Sequence, residues 1–258
     1  LIMPYDIVIG RDKEDKIKFG EQGLIYLGKV YVKMGNYTSL SNKIWLDVVK
    51  SHVILIAGKR GSGKSYTIGV IAEELSQLPT EVKENIAPLI FDTMGIFWTM
   101  KFKNEKDRTL LDQWELSTKQ LPILVWVPAG YYDEYVKRRI PVDKKFSLAV
   151  HELNAEDWLT VFELEMINPI SIVIQKALEQ LEENFDIDDI IKVINKDNST
   201  ENSKQSAISL FQAAKSWRVF ANKNESITKI NDLISAGITS VLDLSIYSST
   251  AGFNIRAL

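Results

Sequence analysis

The sequence contains no cysteine. Disulfides, thiolate zinc sites and cysteine nucleophiles are therefore excluded. Only two histidines occur, His52 and His151, so a histidine metal cluster is not expected. The lack of cysteine suits a cytoplasmic protein. No apolar run approaches the length of a membrane span, so no membrane association is expected. Residues 1–6 lack the basic flank and apolar core of a signal peptide. Strong charge of one sign is missing too: the net charge is −3 over 258 residues. Any nucleic-acid contact must then use a local basic face or a channel formed by several copies. The composition is otherwise that of a globular protein, with 45% apolar and 25% charged residues.

Against these absences stands one dense stretch. Val53-Ile54-Leu55-Ile56-Ala57 is apolar and rich in β-branched residues. It runs into Gly58-Lys59-Arg60-Gly61-Ser62-Gly63-Lys64-Ser65, and an amphipathic helical pattern follows. Strand, glycine-rich turn and helix in this order form the P-loop pattern G-x-x-x-x-G-K-[ST]. Gly58, Gly61 and Gly63 let the backbone turn tightly and bring its N–H groups near phosphate oxygens. The helix N-terminus adds partial positive charge. Lys64 is placed to reach the β- and γ-phosphates, and Ser65 to set its hydroxyl on Mg²⁺. The pattern predicts a nucleoside triphosphate ligand.

The rest of the chain arranges itself around that unit. Residues 1–47 read as a small β domain, barrel-like or a sheet. It has a strand at 6–10, a charged turn at 10–20, strands at 23–34 with a bulge or turn at Gly28, a loop at 36–42 and a strand from Ile44. Residues 48–140 carry the first part of an α/β P-loop core. Tyr66–Leu78 is a helix with Ile68, Ile71, Ala72, Leu75 and Leu78 on its buried face. Leu89–Asp92 and Ile123–Val127 are strands. Asp92 sits just past a strand, where α/β folds bind ligands; it either lines the nucleotide site or caps the following turn. The basic run Lys137-Arg138-Arg139, with Lys144 and Lys145, is either solvated surface or a nucleic-acid contact.

Residues 141–237 change to helical periodicity and are expected to form an inserted helical bundle. Asn154 is its first N-cap, Pro169 splits or kinks a helix, and Asp186 or Asp188 starts another. A polar loop is expected at 195–203, then a helix through Phe211, and a last helix through Ile227, Ile230 and Leu233 closed by Gly237. Residues 238–246 return to strand, and a helix is expected to begin at Ser248. Asp243 falls within that strand. No apolar run ends in Asp-Glu, the form expected of the acidic strand that holds Mg²⁺ and orients the attacking water. The chain therefore reads as the N-terminal portion of a longer protein.

The run Lys50–Thr67, with a histidine ahead of the strand and the loop G-K-R-G-S-G-K-S-Y, resembles the HerA-type ATPases of the HerA/FtsK superfamily. The segment Ile90–Met100 and the ending Val241-Leu242-Asp243-Leu244-Ser245 are similar to the corresponding strand regions of that group. The resemblance covers most of the chain and is densest over residues 43–100. It implies a small β-barrel, a RecA-like core and a helical insertion. It also implies a homo-hexameric ring that uses ATP and Mg²⁺ to move double-stranded DNA through its pore in DNA repair or end processing, often beside a nuclease. The site residues it carries over are Gly58, Gly61, Ser62, Gly63, Lys64, Ser65 and Thr67; Tyr66, within the same run, is also expected at the nucleotide site. Lys64 is the catalytic one and Ser65 the Mg²⁺ ligand. The acidic pair of the second motif, the polar sensor and the arginine finger have no matching positions. Two other readings are a small-molecule P-loop kinase, with the helical insertion as acceptor domain, and a non-catalytic nucleotide-binding scaffold.

Overall fold

The computed structural model describes residues 6–247, and they divide into two compact units. The helix expected from Ser248 lies outside the described residues.

The first unit comprises residues 6–88, 99–123 and 235–239. Its sheet has the order β1-β3-β2, with β1 at Ile7–Ile9, β2 at Leu24–Met34 and β3 at Tyr37–Asp47. β2 and β3 form a long antiparallel hairpin turning at Gly35 and Asn36, and β1 pairs in parallel with Ile44–Leu46. Among the described residues this sheet is open and three-stranded. The register slips between Tyr26 and Gly28, so the bulge expected at Gly28 is present. Of residues 36–42, expected to be loop, only Asn36 is turn and 37–42 belong to β3. Their polar side chains hide the strand, but the cross-strand ladder with β2 satisfies their backbone. The charged turn at 10–20 is also corrected: it holds helix α1, Lys13–Phe19, started by the Asp12 carboxylate, which accepts from the Asp15 N–H at 2.8 Å.

Helix α2, Lys64–Ser76, follows the glycine-rich loop, and the short helices α3 (Thr80–Lys83) and α4 (Arg108–Gln113) complete this unit. The inner side of α2 packs Ile71 and Leu75 against Ile25 and Leu46 of the sheet, with Leu78 just beyond. Ile68, expected on that face, is exposed. The strand expected at Val53–Ala57 is not formed. No described strand pairs with it, and a strand without a ladder partner leaves its backbone unsatisfied. The side chains of Val53 and Leu55 stand in solvent.

The second unit comprises residues 89–98, 124–234 and 240–247. A four-stranded sheet has the order β4-β7-β5-β6 (β4 Leu89–Asp92, β5 Ile123–Pro128, β6 Lys144–Phe146, β7 Thr239–Asp243). The pairs β4–β7 and β5–β6 are parallel. The central strands β5 and β7 are almost wholly buried, as continuous apolar runs in a parallel sheet are. Helix α5, Tyr132–Lys137, follows β5.

Four helices then share one core: α6 (Ala155–Val161), α7 (Pro169–Glu179), α8 (Ile187–Lys196) and α9 (Glu201–Ser216). Trp158, Ile174, Ile190, Ile194 and Phe211 are fully buried there. Each helix is started by a polar side chain: Asn154, Asn168, Asp186 and Thr200 accept from N–H groups of their own first turns. Pro169 stands at the first position of α7, where its missing N–H costs nothing, so of the two expected effects it splits the helical run into α6 and α7 and does not kink a helix. The polar loop expected at 195–203 shrinks to 197–200. The last expected helix is reduced to the one-turn α10, Ile230–Leu233. Residues 224–229 have no room for an apolar stripe beyond Ile227.

Candidate nucleotide site

The glycine-rich loop is built by backbone that only glycine adopts easily. Gly61 has φ +79° and Gly63 has φ +92°. At Gly58 the constraint is space: a Cβ there would lie 2.4 Å from Ser62 Oγ. The Ser62 N–H donates to the Lys59 carbonyl at 3.1 Å, closing the turn. Lys64 Nζ donates to the carbonyls of Gly58 (2.9 Å) and Lys59 (2.8 Å), so its ammonium is held over the loop.

Gly63 is the N-cap of α2 and supplies no side chain to bond the first N–H groups. The first turn carries no acid. Thr67 donates its N–H (2.9 Å) and Oγ1 (3.1 Å) to the Gly63 carbonyl. Lys64 and Ser65 are half-buried, while residues 58–63 are exposed. The helix N-terminus carries no carboxylate and lies beside a lysine at the end of an exposed glycine loop, the electrostatic setting that favours an anion. The crowding at Gly58 and the left-handed backbone of Gly61 and Gly63 require glycine at these three positions. Ser65 is the hydroxyl at the loop's end. Among the described residues no group of three His, Asp or Glu side chains forms a metal site. Mg²⁺ bound mainly by phosphates and water needs few protein ligands, and one hydroxyl suits it.

His52, immediately before the apolar run that leads into this loop, belongs to another cluster in the same unit. Its Nε2 lies 3.2 Å from Asp47 Oδ2, and its ring packs on Gly10. Asp47 is buried and also accepts from Arg11 and from the Val49 N–H (3.2 Å). Arg11 donates further to the carbonyls of Gly20 (2.6 Å) and Gln22 (2.7 Å). Burial pushes the Asp47 carboxyl up, but the bonds from Arg11, Val49 and His52 outweigh it and hold the group below its usual range.

In the second unit, β4 and β7 both end in buried carboxylates, Asp92 and Asp243, which are partners in register. Asp243 thus stands at the end of its strand and not within it. Both oxygens of Asp92 are occupied by the next turn: Oδ1 accepts from Met94 (3.0 Å) and Gly95 (2.8 Å), Oδ2 from Ile96 (2.7 Å) and Phe97 (2.8 Å). That geometry is the cap of the two roles open to this residue. Asp243 Oδ1 accepts from Tyr135 Oη (3.1 Å) and from the Ser245 N–H (2.9 Å). Burial raises its carboxyl above the usual range, against the bonds from Ser245 and Tyr135. The Tyr135 hydroxyl is raised as well, first by burial and then by Asp243. This pairing was not legible in sequence: Tyr135 and Asp243 are 108 positions apart.

The basic run after α5 is exposed. Arg138 lies 3.9 Å from Glu134, and Lys144 sits over the Trp126 ring at 4.9 Å.

A family model described as the central domain of helicase HerA matches residues 25–252. No curated protein and no solved structure matches the chain.

Proposed function

The chain belongs to the family of the HerA helicase central domain, and from that premise we propose that it is the ATP-binding part of a motor that moves double-stranded DNA. Membership makes it a P-loop ATPase of the HerA/FtsK type with a mixed α/β core. The finer reading rests on the loop. Gly58, Gly61, Ser62 and Gly63 present backbone N–H groups to the phosphates. Lys64 leaves its two carbonyl partners for the β- and γ-phosphates, and neutralises charge as it develops. Ser65 holds Mg²⁺, and Thr67 fixes the first helical turn through Gly63. Tyr66, exposed beside them, flanks the nucleotide. Bound ATP with Mg²⁺ supplies the phosphoryl group whose cleavage drives the motor. Asp92 serves by holding the turn after β4 in place.

The domain reading carries forward on the same footing. Residues 1–47 form a β domain, 48–140 and 238–258 belong to the ATPase core, and 141–237 form a helical insertion. Copies assemble into a hexamer around DNA, in repair or end processing with a nuclease alongside. No helix among the described residues is long and apolar enough to cross a membrane, and we place the protein in the cytoplasm.

The observation that carries the proposal is the accessible glycine cradle with Lys64 folded over it. The test is ATP turnover with and without duplex DNA at low salt. Turnover should rise with duplex and fall about a hundredfold in Lys64→Ala, since a phosphate-bound charge is removed. Turnover indifferent to duplex would defeat the DNA-motor reading, and near wild-type turnover in Lys64→Ala would remove the loop from the mechanism.

A further inference from the structure

The β2–β3 hairpin has an unusual charge pattern. Between Leu24 and Leu46 there are three lysines, Lys29, Lys33 and Lys43, and no aspartate or glutamate, in a chain whose net charge is −3. Lys29 and Lys43 are directly opposite each other across the strands. The hairpin holds no acid beside them; Lys29 Nζ lies over the Trp114 ring (5.4 Å) and Lys43 Nζ over the rings of Tyr26 and Trp45 (5.9 Å each). Asp6 lies at its base, bonded to the Lys43 N–H (3.0 Å) and to Trp45 Nε1 (3.3 Å).

The hairpin also outruns its sheet. β1 pairs only as far as Ile44, so the ribbon from Lys29–Lys43 to Met34–Tyr37 has two strands and nothing beside it in that sheet. At about 3.3 Å per residue this arm is roughly 17 Å long. Its exposed side chains are Tyr31, Met34, Tyr37 and Leu40, with Lys33 near the tip. β2 runs without a bulge from Lys29 to Met34, so Lys29, Tyr31 and Lys33 share one face and Lys43 joins it as the partner of Lys29, while Tyr37 pairs with Met34 on the other face.

We infer that this arm binds duplex DNA by lying in a groove. The inference rests on the DNA-motor reading and gives it a contact outside the ATPase core. A two-stranded ribbon fits the major groove. The face that carries all three lysines would meet a phosphate backbone along the groove. Asn36, Ser39, Ser41 and Asn42 supply the neutral donors that usually accompany them. A protein partner fits less well, because lysine is depleted from such interfaces. A single strand fits less well too: Tyr31 and Tyr37 lie on opposite faces and form no stacking row.

The test is fluorescence anisotropy of a labelled duplex with the full chain, between about 50 and 200 mM salt. Lys33→Gln changes one exposed tip residue and should lower the salt slope by about one. The triple variant Lys29→Gln, Lys33→Gln, Lys43→Gln should weaken binding tenfold or more at low salt and lower the slope by about two to three. Circular dichroism melting checks that both remain folded. If the wild type binds duplex and Lys33→Gln binds identically in affinity and slope, the arm is not the contact, and the motor reading stands. No duplex binding by the wild type overturns both. Tighter binding of single strand than duplex by the wild type, lost in the triple variant, overturns the groove. Unchanged duplex binding with altered sedimentation in the triple variant makes the arm a contact between copies instead.

Discussion

Asp47 shows how a single buried charge is kept. It lies 1% exposed and is surrounded by donors from Arg11, His52 and the Val49 backbone. Removing it leaves the Arg11 guanidinium buried without its counter-charge. Asp47→Ala should therefore cost about 3–5 kcal/mol, read by urea unfolding. The Asp47 carboxyl is held low when folded, so its contribution is present above the ordinary carboxylate range and lost as pH falls through the folded value. Asp243 has the opposite sign. Its folded carboxyl is raised above 3.8 by burial and by Asp92 nearby. Its contribution is present below that ordinary value and lost as pH rises through the raised one. Asp243→Asn keeps an oxygen for Tyr135 and Ser245 and removes the charge. It should flatten part of the fall in melting temperature on raising pH from about 4 toward 7, Glu73 and Glu74 retaining the remainder because burial raises them too. An unchanged pH slope in Asp243→Asn would show that this carboxyl does not titrate there. Neither cluster was legible in sequence, since the partners are 36 and 108 residues apart and each looks like ordinary surface charge locally.

At the scale of elements, what was legible was local. The strand Leu89–Asp92 and the cap at Asn154 follow from neighbours within four residues, and both are found as expected. Asn154 Oδ1 accepts from the Asp157 N–H at 3.0 Å, and Asp157 Oδ2 accepts from the Asn154 N–H at 2.9 Å. Asn154→Ala should cost about 1 kcal/mol, measured by urea unfolding, and a cost near zero would mean α6 is held by Trp158 and Leu159 alone. Where pattern and pairing disagree, pairing decides. Tyr37–Asn42 is polar and yet a strand, because β2 lies beside it. Val53–Ala57 is apolar and β-branched and yet forms no strand, because no described strand lies beside it. Strand propensity describes fit to a ladder and does not create one.

Over the whole molecule, the glycine loop was the most legible feature, since its backbone turn needs no distant partner. Its cradle is made by Gly58, Gly61 and Gly63, its charge by Lys64 and the start of α2. The family match over residues 25–252 agrees with what that loop and its flanks resemble. The division into two units was less legible, because each unit gathers three separate stretches of chain. The proposed function stands or falls with the loop as a nucleotide site. Titrating the full chain with a fluorescent ATP analogue and Mg²⁺, beside Lys64→Ala and with circular dichroism on both, tests it most directly. Saturable binding by the wild type, weakened tenfold or more in a Lys64→Ala variant that melts like the wild type, is the predicted result. Absent binding, or equal binding by the two, would contradict it.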